Sequence, residues 1–221
     1  KREDSIKICF VICYNNEYYL SECLLYIRNL NIPDGYTIDI FQIEGAASMT
    51  EGYQAAMETT DAKYIVYLHQ DVFILEKDFI KKTIEIFESD DKIGMIGMVG
   101  TISLPQSGVM WEKKERVGYI RSCILNTVND KFDKEIERPY IEVEAVDGLL
   151  IMTNRHDIKW RTDIFDGWDF YDISQSFEYR NKGYKVVVPY QETPWVLHDC
   201  GFLNMNQYDR YREIFLKNYF G

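Results

Sequence analysis

The sequence predicts an α/β fold: a mostly parallel central sheet flanked by helices. Three observations predict it. Apolar runs of strand length alternate with helical periodicity over residues 6–74, and the order β-α-β-α-β requires a parallel sheet with right-handed crossovers. The chain has 221 residues, 46% of them hydrophobic, enough for one sizeable core. No repeat, low-complexity tract or Pro/Gly/Ser linker divides it, so residues 1–221 read as a single domain.

The elements follow in order. Ile6 to Cys13 is an apolar run broken by Tyr14-Asn15-Asn16. Leu20, Cys23, Leu24, Ile27 and Leu30 then recur at helical spacing, with Asn15 or Asn16 as N-cap. Residues 31–35 (NIPDG) are a turn. Tyr36 to Ile43 is the second strand, ended by Glu44-Gly45. Ser48 and Glu51 form a capping box for a helix to about Thr60. Tyr64 to Leu68 lacks alternation and reads as a strand buried on both faces, followed by His69-Gln70-Asp71. Lys77 to Ser89 places Phe79, Ile80, Ile84 and Phe87 on one helical face. Ile93 to Thr101 reads as one fourth strand.

Residues 103–118 read as a long loop. There Trp111 with Lys113 and Lys114 suits covering an acceptor or touching phosphate, and equally suits a solvated excursion with one anchoring ring. Asn126 to Arg138 reads as a charged surface connection. Tyr140 to Thr153 reads as strand, turn, strand, with a hairpin turn at Asp147-Gly148 the simplest account. Arg155 to Trp160 is a short helix or turn. A helix to about Lys182 stops at Gly183, a residue suited to the left-handed conformation. Tyr184 to Pro189 is a further strand, and Phe202 to Phe220 closes the chain as an amphipathic helix.

Composition excludes several functions. A net charge of −11 argues against nucleic-acid binding, which needs a basic footprint. A phosphate-bearing ligand would need a metal, helix N-termini or a few local basic groups. The five cysteines show no CxxC pairing and sit in apolar surroundings, which points to reduced thiols and a cytoplasmic setting. No apolar run approaches the ~18 residues of a membrane span, and no signal-peptide pattern is present. Neither GxxxxGK[ST] nor GxGxxG occurs.

Open α/β sheets bind ligands at the carboxyl ends of their strands. The β-α-β-α-β order brings Tyr14, Asn15, Glu17, Glu44, Ser48, His69 and Asp71 to one such edge. An imidazole and a carboxylate there suit a divalent metal, although a polar turn with Asp71 as a cap explains the same residues. Phe165 to Asp172 interleaves Asp166, Asp169 and Asp172 with four aromatic residues. Rings lower local polarity and raise a carboxylate's pKa toward a useful base, while an N-cap or dipole role accounts for any one acid. His198 suits either a hydrogen-bonded core position or a ligand, and His156 looks incidental. The 17 tyrosines and 12 phenylalanines suit a ring-lined pocket or plain packing.

Taken together these pieces resemble the family 2 glycosyltransferases of the GT-A fold, especially the bacterial glycosyltransferase-like branch, over roughly residues 5–200. FVICYNNEYYLSECLLYI is similar to the family's nucleotide-binding start. IEGAASMTEGYQAAM looks like its second strand and the helix behind it. YIVYLHQDVFI occupies the place of the Asp-x-Asp motif, with His69 in place of the first acid and Asp71 keeping the last. AVDGLLIMTNR resembles the segment under the donor sugar and acceptor, and FDGWDFYDISQSFEYRNKGYKVVV the stretch holding the Glu-Asp pair.

The resemblance implies a GT-A-type single domain with a Rossmann-like, mostly parallel central sheet flanked by helices and a smaller antiparallel acceptor-side part, the nucleotide-binding half over about 1–101 and the acceptor half over about 102–221. It implies transfer from a nucleotide-diphosphate sugar, UDP-linked by family habit, to a hydroxyl acceptor with inversion, in glycan or polysaccharide synthesis. Asp172 would be the base, with Asp169 its rival. The nucleotide sugar would meet Cys13, Tyr14, Asn15, Glu17, Glu44, Ser48, His69, Gln70, Asp147 and Gly148. Asp71 and His198 would hold Mn2+ or Mg2+. Peripheral membrane association through a lipid-linked acceptor is compatible with this. A non-catalytic nucleotide- or glycan-binding module is the alternative; a metal hydrolase built on His69, Asp71 and His198 and a nucleotidyltransferase are weaker ones.

Overall fold

A computed structural model describes residues 5–112, 114–123 and 127–221. The first strand, β1 (Ile6–Tyr14), lies between two parallel neighbours, β2 (Tyr36–Glu44) and β3 (Tyr64–His69). Four further strands extend that sheet: β5 (Ile93–Gly97), β9 (Tyr140–Val143), β11 (Leu150–Thr153) and β12 (Lys185–Pro189), giving the order β2-β1-β3-β11-β5-β12-β9. β11 enters antiparallel between β3 and β5, and β9 closes the far edge antiparallel to β12. The acceptor half expected after residue 101 therefore completes the same sheet as the first half.

Period-two alternation explains how one sheet supports helices on both faces. Ile8, Phe10 and Ile12 of β1 pack with Leu20, Leu24 and Ile27 of α1 (Glu17–Arg28) and Ile80, Ile84 and Phe87 of α3 (Phe79–Ser89). Cys9, Val11 and Cys13 face the other way, toward Tyr53 and Met57 of α2 (Met49–Thr59) and Tyr171 and Tyr179 of α4 (Tyr171–Asn181). Every residue from Tyr64 to Leu68 is buried, as its unbroken apolar run predicts. A third cluster joins α4 to the terminal helix α5 (Tyr208–Tyr219) through Phe170, Ile173, Phe177, Tyr211 and Phe215.

Local chemistry sets the helix ends. Asn16, not Asn15, caps α1, its side chain accepting from the Tyr18 and Tyr19 amides. The Ser48 hydroxyl accepts from the Glu51 amide at 3.1 Å and caps α2. Gly183 follows α4 with φ +85°, a left-handed stop. α5 begins only at Tyr208, six residues later than the sequence pattern suggests.

The carboxyl half departs most from expectation. The run 93–101 is two strands, β5 and β6 (Val99–Thr101), which Met98 sends into different sheets. The second sheet has the order β10-β6-β7-β13-β4, with β8 paired to β7; it contains β4 (Val72–Ile74), β7 (Arg116–Cys123), β8 (Thr127–Lys131), β10 (Ala145–Val146) and β13 (Val196–His198). The long loop thus ends in a strand at Arg116, and the charged connection contains another. Both were hidden because their side chains are polar on the solvent side. Asp147-Gly148 is not a hairpin turn: β9 and β11 pair with different strands, β12 and β5. Residues 155–160 form no helix. Trp111 packs on Phe132, with Arg116 over its ring; Lys113 and Asn126 lie outside the described residues.

The sheet crossing fixes one glycine. Gly118 sits at φ +126°, paired with Val99, and a Cβ there would meet the Met98 carbonyl oxygen and lie 2.9 Å from Val99 Cα. Both backbone strain and overpacking oppose a side chain. Gly118→Ala is therefore expected to cost roughly 2–4 kcal/mol, read as a drop of about 5–15 °C in Tm. An unchanged Tm would show that the crossing can relax.

Candidate active site

Strand register assembles the site. Tyr14 stands opposite Glu44, and Cys13 stands opposite both Ile43 and His69, so the carboxyl ends of β1, β2 and β3 meet at one edge. A cavity of about 750 Å3 opens there. Of the residues singled out in the sequence, Cys13, Tyr14, Asn15, His69, Gln70, Asp71 and Asp169 line it, whereas Ser48, Asp147, Gly148, Asp172 and His198 are not among its lining residues. Residues the sequence reading left out also line it: Met49, Trp168, Asn204, Gln207 and Tyr211. Of these only Trp168, 51% exposed beside two acids, carried a signal in the sequence.

Several expected ligand contacts have other occupations. The Ser48 hydroxyl is buried and caps α2. Gln70 spends its amide on the β1–α1 loop: Oε1 accepts from the Asn15 and Asn16 amides at 3.0 and 2.9 Å, and Nε2 donates to Asn15 Oδ1 at 2.8 Å. It shapes the loop that forms one cavity wall. Glu17 and Glu44 are exposed at the edge and do not line the cavity. His156 is a tie between elements, its ring nitrogens facing the Met57 and Ala62 carbonyls.

The cluster of His69, Asp71 and His198 depends on a pairing the sequence does not announce. β13 runs antiparallel to β4, with His198 opposite Val72, and the Asp199 amide donates to the Asp71 carbonyl at 2.9 Å. His198 Nε2 thereby comes within 3.6 Å of Asp71 Oδ1, while His69 Nδ1 lies 4.0 Å from the same oxygen. One ligand atom from each of His69, Asp71 and His198 falls within 4.8 Å of the others. Two imidazoles and a carboxylate form a donor set that fits a divalent transition ion. Burial opposes ionisation of Asp71, but the His198 hydrogen bond and the His69 ring outweigh it and lower its pKa. Burial and the neighbouring His198 lower the pKa of His69. For His198 burial acts downward, yet the Asp71 carboxylate prevails and the pKa is raised.

Asp172 follows Tyr171, whose hydroxyl lies 2.5 Å from His69 Nε2. Its carboxylate accepts from the Gly148 and Ile173 amides, both at 2.8 Å. Burial and then the nearby Asp147 carboxylate push its pKa up to about 7. Asp147 itself accepts from the Leu149 amide at 2.9 Å. Asp169, which does face the cavity, is raised by burial. The loop carrying these acids is held at several points. The Met49 amide donates to the Gly167 carbonyl, Tyr211 donates to Asp166 at 2.9 Å, and a Cβ at Gly167 would strike the Tyr211 hydroxyl. Phe170, between Asp169 and α4, adopts φ +62°, the one non-glycine residue with positive φ among the described residues. Such strain persists where packing over-determines it, here by Tyr208 and Phe215.

Comparison with known proteins identifies the family and the fold. The sequence matches the glycosyltransferase-like family over residues 9–219. No curated protein sequence matches it. Among solved structures it is similar to the mannosyltransferase PcManGT from Pyrobaculum calidifontis in complex with GDP-Man and Mn2+, with TM-score 0.59, 12% identity, and coverage of 97% of this chain and 64% of that one. It is also similar to GalNAc-T7 with UDP, GalNAc and Mn2+ (TM-score 0.61, 9% identity, 90% of this chain, 45% of that one). A third is S. aureus TarS 1-349 in complex with UDP-GlcNAc (TM-score 0.58, 10% identity, 90% and 60%). The chain thus spans less than two thirds of each of these proteins. With a family match over almost its whole length and the sheet order described above, the chain is a member of the glycosyltransferase-like family and has the GT-A fold.

Proposed function

We propose that the protein is a metal-dependent glycosyltransferase that moves a sugar from a nucleotide-diphosphate sugar, with UDP favoured, to a hydroxyl acceptor with inversion. The observation that carries this reading is the His69–Asp71–His198 cluster at the mouth of the parallel strands, beside a carboxylate poised near neutrality. The nucleotide belongs to the wall built by residues 1–101, where Tyr14, Asn15 and Gln70 shape the cavity. The acceptor belongs to the half over 102–221, where Trp168 and Asp169 form the facing lip.

The residues divide the chemistry between them. Asp71 and His198 would hold the ion, which when bound neutralises charge on the pyrophosphate leaving group. Asp172 takes the proton from the acceptor hydroxyl as the new glycosidic bond forms on the face opposite the leaving group. A pKa of about 7 suits this, because the base is then about half ionised at neutral pH and still basic enough to accept a proton. Two backbone amides keep its carboxylate aimed. Asp169 is the second candidate for that proton.

The test is a thermal-shift panel of UDP, GDP, dTDP and CDP with their sugars, each with Mn2+, with Mg2+ and with chelator. A ligand at about 100 times its Kd stabilises by about 2.7 kcal/mol, which in a domain of this size is roughly 5–10 °C. A shift of that order with one nucleotide, abolished by chelator, is expected. No shift with any nucleotide at millimolar concentration would remove the donor site. Nucleotide binding with neither transfer nor donor hydrolysis would instead favour a binding module.

A further inference from the structure

Two groups at the proposed ion's donor set have roles still to be specified. One is the His69 imidazole, which stands where its relatives' motif has an acid. The other is the Tyr171 hydroxyl. They meet at 2.5 Å, His69 Nε2 to Tyr171 Oη. The other ring nitrogen, Nδ1, faces the Asp71 carboxylate at 4.0 Å. One nitrogen is therefore engaged by a protein hydroxyl while the other looks into the ligand cluster. Ligating imidazoles are held in this manner, giving their second N–H to a fixed acceptor that sets tautomer and ring orientation.

Tyr171 is built to be such a fixed partner. It is buried, and its ring is wedged against Tyr53 and Trp160 at centroid distances of 6.0 and 6.2 Å. Its hydroxyl reaches His69 across Gly148, where a Cβ would overlap the Tyr171 oxygen. The same Gly148 amide holds Asp172, the next residue after Tyr171. The ion's ligand and the base thus share one packed unit at the start of α4.

We propose that Tyr171 is a positioning residue whose hydroxyl presents His69 Nδ1 as a third protein ligand, so that the site selects Mn2+, Co2+ or Zn2+ over Mg2+. This rests on the metal-dependent reading above and extends it to a ligand and a selectivity. The chemical reason is the donor set. Imidazole nitrogens suit transition ions, whereas Mg2+ prefers oxygen and surrenders its waters reluctantly.

The experiment is titration of the whole protein with Mn2+ alone, without nucleotide, following loss of the free-ion EPR signal. Wild type is compared with Tyr171→Phe, His69→Gln and Asp71→Ala, and Mg2+ is then added as competitor. Co2+ is titrated in parallel and its visible absorption recorded. Tyr171→Phe removes one oxygen and keeps the ring, so the fold should hold. Its Mn2+ affinity should fall by about 10–100-fold, with an altered Co2+ spectrum at unchanged circular dichroism. His69→Gln should weaken Mn2+ similarly and leave Mg2+ competing on nearly equal terms. The proposal is overturned if Tyr171→Phe and His69→Gln hold Mn2+ as tightly as wild type while Asp71→Ala does not. If wild type fails to bind Mn2+ with or without UDP, the metal reading itself falls, and this proposal with it. Should Tyr171→Phe misfold, His69→Gln and the Mg2+ competition decide.

Discussion

Asp172→Asn is expected to lower turnover by about 10²–10⁴ while Mn2+-dependent nucleotide binding survives, the range a positioned base contributes. The substitution keeps the side chain's size but removes its capacity to take a proton. It leaves the nucleotide wall around Tyr14, Asn15 and Gln70 untouched. The wild-type kcat/KM should rise with pH along an acid limb near 7, because Asp172 must be ionised to act and burial with Asp147 has raised its pKa to about 7. As the two carboxylates interact, that limb belongs to the pair. A variant with wild-type turnover would transfer the role to Asp169.

The same shift makes a stability prediction, with its sign fixed by linkage. An aspartate in an unfolded chain titrates near 3.9. A folded-state pKa above that value means that the protonated form is favoured by folding. The stabilisation is complete below about pH 4 and is lost as pH rises toward 7. Over that window the group forfeits up to a few kcal/mol. Asparagine does not titrate. In metal-free protein, the Tm of Asp172→Asn relative to wild type should therefore climb between pH 5 and pH 8. A pH-independent Tm difference would mean that Asp172 titrates normally.

The second large effect is expected from Asp71→Ala. Asp71 Oδ1 is the point on which both histidines converge, at 3.6 and 4.0 Å. Its removal leaves two imidazoles facing one another, with ring centroids 5.6 Å apart and no anion between them. The nucleotide-and-metal thermal shift of roughly 5–10 °C should disappear, and turnover should fall to background. The fold should survive, since the Asp71 backbone carbonyl still accepts from Asp199. Calorimetric UDP titration with Mn2+ separates the outcomes: unchanged affinity would remove Asp71 from the metal.

How much of this was legible depends on the range of the interactions involved. β1, α1, β2, α2 and β3 follow from apolar spacing and two caps, because each is specified by neighbours in sequence. The aromatic-flanked acids and the His69-Gln70-Asp71 triplet stood out because polar groups rarely interrupt buried strands. Ser48 reads in the sequence both as a cap and as a ligand, because a hydroxyl near a sheet edge and a hydroxyl capping a helix look alike until the helix is placed; the structure shows the cap. The break of residues 93–101 into two sheets at Met98 left no local trace, since all of β5 and β6 is buried.

By itself the sequence determined the α/β class, the parallel core around β1 and the edge where its strands end. These rest on hydrophobic period and short-range caps. Only the tertiary structure decided that β13 pairs with β4 and carries His198 to Asp71, that Tyr171 reaches His69 over Gly148, and that Asp172 sits half-buried near Asp147. Those relations join residues 25 to 127 positions apart, where register, packing and burial replace sequence spacing as the determining physics.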